Sequence, residues 1–221
     1  MTRSEVRARI EQVGIVPAIR VASSEDARFA AETAYHSGIS IAEITMTTPG
    51  AIEVIAHLAK DLPEMVVGAG TVLDADTARR CLDAGAKFLT STGLVLEVVE
   101  VALLNDVVVF PGALTPTEVI AVWKAGSDFV KVFPCSANGG YRYIRALKVP
   151  FPQIPMIATG GVNQLTAFDF IRAGAEALGV GAELMPAEAL RARNQRQIQE
   201  LARRFLGMVK EARALKTGDK P

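Results

Sequence analysis

Along the chain, short apolar runs alternate with longer stretches in which apolar residues recur every three or four positions. The short runs are Ile15–Ile19, Ile41–Thr45, Met65–Gly68, Phe88–Ser91, Val107–Phe110, Phe129–Phe133, Pro155–Thr159 and Ala177–Gly181. They are rich in Val, Ile and Phe and show little polar alternation, the texture of parallel strands covered on both faces. The intervening stretches predict helices. One covers Arg3–Val13, and the next opens at Ser24 with Ser23 or Ser24 as its N-cap. Others begin at Pro49, Asp74, Thr115-Pro116 and Asn163, and after Thr92-Gly93 and Asn138-Gly139-Gly140. A long last helix is expected to begin at Pro186 and run without interruption past Leu206, before a frayed tail at Lys216–Pro221. Strands and helices in strict alternation predict an α/β fold, a (β/α)8 TIM barrel with a short N-terminal helix, as a single domain over residues 1–221.

A recurring segment favours a closed barrel over a doubly wound sheet. SGISIAEI, AGAKFLTS, AGSDFVKV and AGAEALGV each place a glycine (Gly38, Gly85, Gly126, Gly174) between a helix and the next strand. A glycine there can take the left-handed conformation that ends a helix. These strands are the second, fourth, sixth and eighth, the alternation of a layered barrel interior. Five residues past each glycine stand Glu43, Thr90, Lys131 and Gly179, so the four share one height.

Composition narrows the function classes. Half of the residues are hydrophobic and 22% are charged, too apolar a chain for disorder. Its 24 basic and 24 acidic residues cancel, which argues against a nucleic-acid partner. No apolar run approaches the roughly 20 residues that span a bilayer. The opening MTRSEVRARIEQVGI lacks the apolar core of a signal peptide. Cys81 and Cys135 cannot build a disulfide framework, so the cytoplasm is the expected compartment. His36 and His57 fall in helical segments, away from the strand ends, and no metal is expected.

In a barrel the chemistry belongs to the C-terminal ends of the strands. In FVKVFP, Val130 and Val132 are expected to face the helices, and Phe129, Lys131 and Phe133 the interior. Burial disfavours a charged amine, so Lys131 is a candidate nucleophile for Schiff-base chemistry on a ketone. Snorkelling from a strand end is the bland alternative. Glu43 is the matching acid, either a proton relay or a structural partner of a buried cation. Arg20, at the end of VPAIR, offers a planar fork for carboxylate or phosphate, or a rim salt bridge. Gly160-Gly161 and Gly179–Gly181 follow the seventh and eighth strands, where barrel loops cradle phosphate with backbone N–H groups. Gly68-Ala69-Gly70-Thr71 lacks the third glycine of a dinucleotide fingerprint.

The stretches VPAIR, IAEITMTTPGA, VGAGTVL, FPGALTPTE, FVKVFPCSANGG, ATGGV and GVGAEL, in this order, resemble the 2-keto-3-deoxy-6-phosphogluconate (KDPG) / 4-hydroxy-2-oxoglutarate (KHG) aldolase family from about Val13 to about Leu206. The resemblance implies a class I aldolase, a usually trimeric barrel without metal or cofactor. It would cleave a 2-keto-3-deoxy sugar acid, foremost KDPG, to pyruvate and glyceraldehyde 3-phosphate. KHG or 2-keto-3-deoxy-6-phosphogalactonate are the alternative substrates. By the same resemblance Lys131 matches the Schiff-base lysine, Glu43 the acid–base glutamate, and Thr71 a pocket residue. Thr159, Gly160 and Gly161 match a substrate-binding segment, and Gly181 the phosphate loop. Three positions depart. Thr47 stands where many members have a carboxylate-binding arginine, Thr92 where many have proline, and Ala182 where a phosphate-binding serine is frequent. In the phosphogalactonate branch an arginine at the end of strand one takes the first role, and Arg20 matches it. The rival readings are a barrel isomerase using Glu43 without a covalent intermediate and a keto-acid-binding paralogue without turnover.

Overall fold

A computed structural model describes residues 1–218, with side chains through Leu215. The tail expected to fray from Lys216 lies outside these residues, apart from the backbone of one last helical turn. Strands β1 (Ile15–Ile19), β2 (Ile41–Thr45), β3 (Val66–Gly70), β4 (Phe88–Leu89), β5 (Val108–Val109), β6 (Gly112–Ala113), β7 (Val130–Val132), β8 (Met156–Thr159) and β9 (Ala177–Val180) are all parallel. Helices α1 (Arg3–Val13), α2 (Ser24–His36), α3 (Ala51–Asp61), α4 (Ala75–Asp83), α5 (Leu96–Leu104), α6 (Pro116–Lys124), α7 (Tyr141–Lys148), α8 (Ala167–Arg172), α9 (Ala187–Arg191) and α10 (Gln195–Gly218) alternate with them.

The sheet order β5-β4-β3-β2-β1-β9-β8-β7-β6 closes on itself, because β5 and β6 are two pieces of one barrel strand. Pro111 sits between them and has no N–H for the ladder. Around it the strand bonds to β4 along one edge and to the segment that leads into β7 along the other. Phe110 N donates to Leu89 O on one flank, and Asp128 N donates to Val109 O and Lys131 N to Pro111 O on the other. The expected fifth run at Val107–Phe110 therefore supplies only the first piece.

Two apolar layers result. The outer one lies between strands and helices and includes Val130 and Val132, as the parity of FVKVFP requires. The inner one fills the lower barrel with Val16, Ile41, Val66, Phe88, Phe110, Phe129 and Ile157, and α1 closes it with Val6 and Ile10. The four repeat glycines all take positive φ, from 93° to 107°. Ser23 proves to be the N-cap of α2, and Asp74 and Thr115 cap α4 and α6.

Some boundaries move. Asn163 and Thr166 form a side-chain-bonded turn, so the helix expected from Asn163 begins at Ala167. The expected last helix is not continuous. It breaks at Ala192–Asn194, where Arg193 takes φ 49° and Asn194 Oδ1 accepts the N–H of Gln197 to start α10. Arg193 is held there by ion pairs to Asp26 and Glu25 at 3.0 and 3.8 Å and by stacking over Phe29. That anchorage to α2 and the Asn194 cap together mark the break in the Ala- and Arg-rich run.

Candidate active site

Counting β5 and β6 as one strand, β2 and β7 stand opposite each other across the ring. Each carries its ionisable residue at an inward position. Glu43 is in register with Ala18 on β1 and Gly68 on β3; Lys131 is in register with Gly112 on β6 and Ile157 on β8. They meet because the other members of the layer are small. Gly179 has no side chain, and the Thr90 hydroxyl turns away to donate to Phe110 O at 2.7 Å. Lys131 Nζ lies 3.3 Å from Glu43 Oε1 and 3.5 Å from Oε2, with the two residues 3% and 2% exposed. Two charges buried to this degree persist when each neutralises the other.

Glycines clear the space around the pair. A Cβ on Gly70 would stand 2.0 Å from Glu43 Oε1, and one on Gly179 2.3 Å from Thr159 Oγ1. A cavity of about 720 Å³ opens above, with Glu43 and Lys131 in its wall. Of the residues singled out by sequence, the structure gathers Arg20, Thr92, Thr159, Gly160, Gly161 and Gly181 around the same cavity. Gly160 and Gly161 adopt φ of 86° and 79°, conformations open to glycine. Thr159 lines the cavity, and its buried Oγ1, which has no protein partner, is directed at the space left by the missing side chain of Gly179.

Two residues stand apart. Thr71 is not in the cavity wall but takes the left-handed φ of 59° and meets Arg20 Nη2 at 3.3 Å through its hydroxyl. Because Thr71 follows β3, this contact carries the Arg20 guanidinium from the end of β1 across the end of β2, the strand of Glu43. Thr47 is not brought to the cavity. It is exposed past the end of β2, and its hydroxyl pairs with Thr45 Oγ1 at 3.0 Å. Sequence reasoning passed over Asp26, Asn163, Glu183 and Arg191, which also line the cavity. The one available signal was Asn194, a helix-capping residue inside the run read as a single helix.

The remaining nucleophiles do not compete. Cys135, beside the site in a short 3-10 turn, is fully buried, donates to Val132 O, and burial pushes its thiol up to about 11. His57 sits between Glu32 and Asp61 on the helical layer. A buried lysine paired with a buried carboxylate, under an open cavity with anion-compatible edges, is equipped for covalent chemistry on a small keto acid.

The model of the family "Aldolase: KDPG and KHG aldolase" matches residues 6–201. The KHG/KDPG aldolase of Escherichia coli K12 is 33% identical over 189 residues, covering 86% of this chain and 89% of that one. The 2-dehydro-3-deoxy-phosphogluconate aldolase of Dickeya dadantii is 31% identical over the same shares of 86% and 89%. A KDPG aldolase from Legionella pneumophila, solved with pyruvate captured at low pH as a covalent carbinolamine intermediate, superposes with a TM-score of 0.82 at 29% identity. It covers 89% of this chain and 96% of its own. Among the described residues no helix is long and apolar enough to cross a membrane.

Proposed function

This chain belongs to the KDPG and KHG aldolase family and is a carbon–carbon lyase, and we propose that it cleaves KDPG through a Schiff base on Lys131, with Glu43 as the proton carrier. The observation that supports this most directly is the buried Lys131–Glu43 pair in the wall of the 720 Å³ cavity. Glu43 is the group placed to take the ammonium proton. The freed amine adds to the C2 carbonyl, and the carbinolamine loses water to give an iminium. Glu43, having given its proton to the departing water, takes the C4 hydroxyl proton directly or through a water, and the C3–C4 bonding electrons pass into an enamine as C4 leaves as the aldehyde carbon. Glu43, directly or through a water, returns a proton to C3, and hydrolysis releases pyruvate and the amine. The aldehyde is glyceraldehyde 3-phosphate. KHG cleavage would run through the same steps to glyoxylate. The family resemblance extends this reading to a cytoplasmic homotrimer that uses no cofactor.

Trapping tests it. Pyruvate with borohydride should leave one stable adduct, and mass spectrometry of the digest should place it on Lys131, since reduction locks the iminium. Lys131→Ala should lose both adduct and turnover by orders of magnitude. An adduct on another residue, or none, removes the Schiff-base assignment and favours a barrel enzyme that uses Glu43 alone.

A further inference from the structure

We infer that Arg191 selects the substrate by the charge on its far end, the end remote from the keto group, and so favours acids that carry a second anion there. The inference rests on the aldolase reading and deepens it.

The helix break carries the argument. A helix running straight from Pro186 past Leu206 would have continued through positions 192–194 along one axis. Instead Arg193, in a left-handed conformation, is fixed to α2 by Asp26, Glu25 and Phe29, and α9 ends at Arg191. The short helix so created lies along the cavity, and Ala187, Leu190 and Arg191 line it. Asp26 lines the same wall but is spent on Arg193 at 3.0 Å. Arg191 is exposed and makes no hydrogen bond or ion pair with a described residue. Beside Asp26 and the buried Glu43, Glu183 is the other carboxylate that lines the cavity.

The cavity therefore presents two guanidinium groups with different positions. Arg20 is drawn by Thr71 over the end of β2, on the Glu43 side. A carboxylate adjoining the iminium carbon must sit near the Lys131–Glu43 pair, and Arg20 reaches over the end of the strand that carries Glu43. Arg191 comes from the segment after β9, at the mouth, where the other end of an extended substrate emerges. In the same wall Gly160, Gly161 and Gly181 leave backbone open, and Ala182 offers no side-chain donor. A forked, permanent cation is then the side chain able to distinguish an anionic terminus from a hydroxyl.

Matched substrates decide it: KDPG, its non-phosphorylated counterpart, and KHG, whose far end is a carboxylate. In wild type, kcat/KM should be highest for an anionic terminus. Arg191→Ala should lower the ratio of anionic-ended to neutral-ended kcat/KM by about 10- to 100-fold, the range of a charge-assisted hydrogen bond. Arg191→Lys should recover part of it and Arg191→Glu should lower it further. Whether phosphate or carboxylate responds more identifies the anion that the site was shaped for. A ratio unchanged in Arg191→Ala overturns the inference, as does an equal loss on all three substrates, which would mean that Arg191 only supports α9. Pyruvate trapping on Lys131, run alongside, keeps the readings apart. If the adduct forms and the ratio does not move, only the role of Arg191 fails.

Discussion

Glu43 owes its position to an absent side chain. Gly70 lies on the neighbouring strand, and a methyl there would stand 2.0 Å from Oε1, inside any tolerable contact. If Glu43 carries the proton as proposed, exchanging it and displacing it should look alike in turnover. Glu43→Gln keeps the shape and removes the proton, so kcat should fall by ~10²–10⁴-fold. Gly70→Ala leaves the carboxylate chemically intact but pushes it from Lys131, and kcat should fall into the same range while circular dichroism stays that of wild type. A Gly70→Ala enzyme with near-normal kcat would show that the carboxylate need not stand where the structure puts it. The inward pair was legible in the sequence, because an acid and a base inside apolar strands stand out at fixed offsets from the repeat glycines. The Gly70 contact was not. Gly70 is in register with Thr45, yet it clears room for the residue two positions earlier, a cross-strand relation that one strand cannot reveal.

At the scale of elements, two strand ends compete for the substrate carboxylate. β1 ends at Arg20, and β2 is followed by Thr47. The hydroxyl of Thr47 is already engaged by Thr45, and Thr47 does not line the cavity. Arg20 lines the cavity and uses one nitrogen on a neutral hydroxyl, leaving the rest of its fork open. Arg20→Ala should therefore raise KM for every pyruvate-forming substrate, by about tenfold or more, on the strength of a charge-assisted contact. Arg20→Lys should recover only part, and Thr47→Ala should be mild. Steady-state kinetics on the three variants checks this, and equal damage from Thr47→Ala would place the carboxylate at β2 instead. The element pattern was legible wherever local chemistry sets it, as at the glycine stops and at the Asp74 and Thr115 caps. It was illegible where distant partners set it. Ala, Leu and Arg around position 190 are all good helix formers; Asn194 marks the restart locally, but the ion pairs of Arg193 to Asp26 and Glu25, 167 and 168 residues earlier, cannot be read from the run itself.

For the whole molecule, barrel closure passes through one buried carboxylate. Asp128 precedes β7 and accepts the Val109 N–H at 2.8 Å, on the strand that Pro111 divides. It also accepts from Arg3 Nε at 2.9 Å and Nη2 at 3.1 Å, which ties α1, the floor of the barrel, to the same point. One side chain thus joins the seam, the floor and the strand that presents Lys131. Asp128→Ala would leave a buried backbone N–H unpaired and Arg3 without its partner, and should cost about 2–4 kcal/mol. Arg3 is a quarter exposed, so Arg3→Ala removes a contact already weakened by solvent and should cost about 1 kcal/mol. Asp128→Asn should fall between them, because an amide oxygen can still accept from Val109 while the charge facing Arg3 is gone. Urea unfolding of the three variants measures the order. If Asp128→Asn is as damaging as Asp128→Ala, the ion pair to α1 outweighs the bond to the seam; if Asp128→Ala unfolds with the wild-type midpoint, the ring closes without this residue and the divided fifth strand is held by its ladder alone.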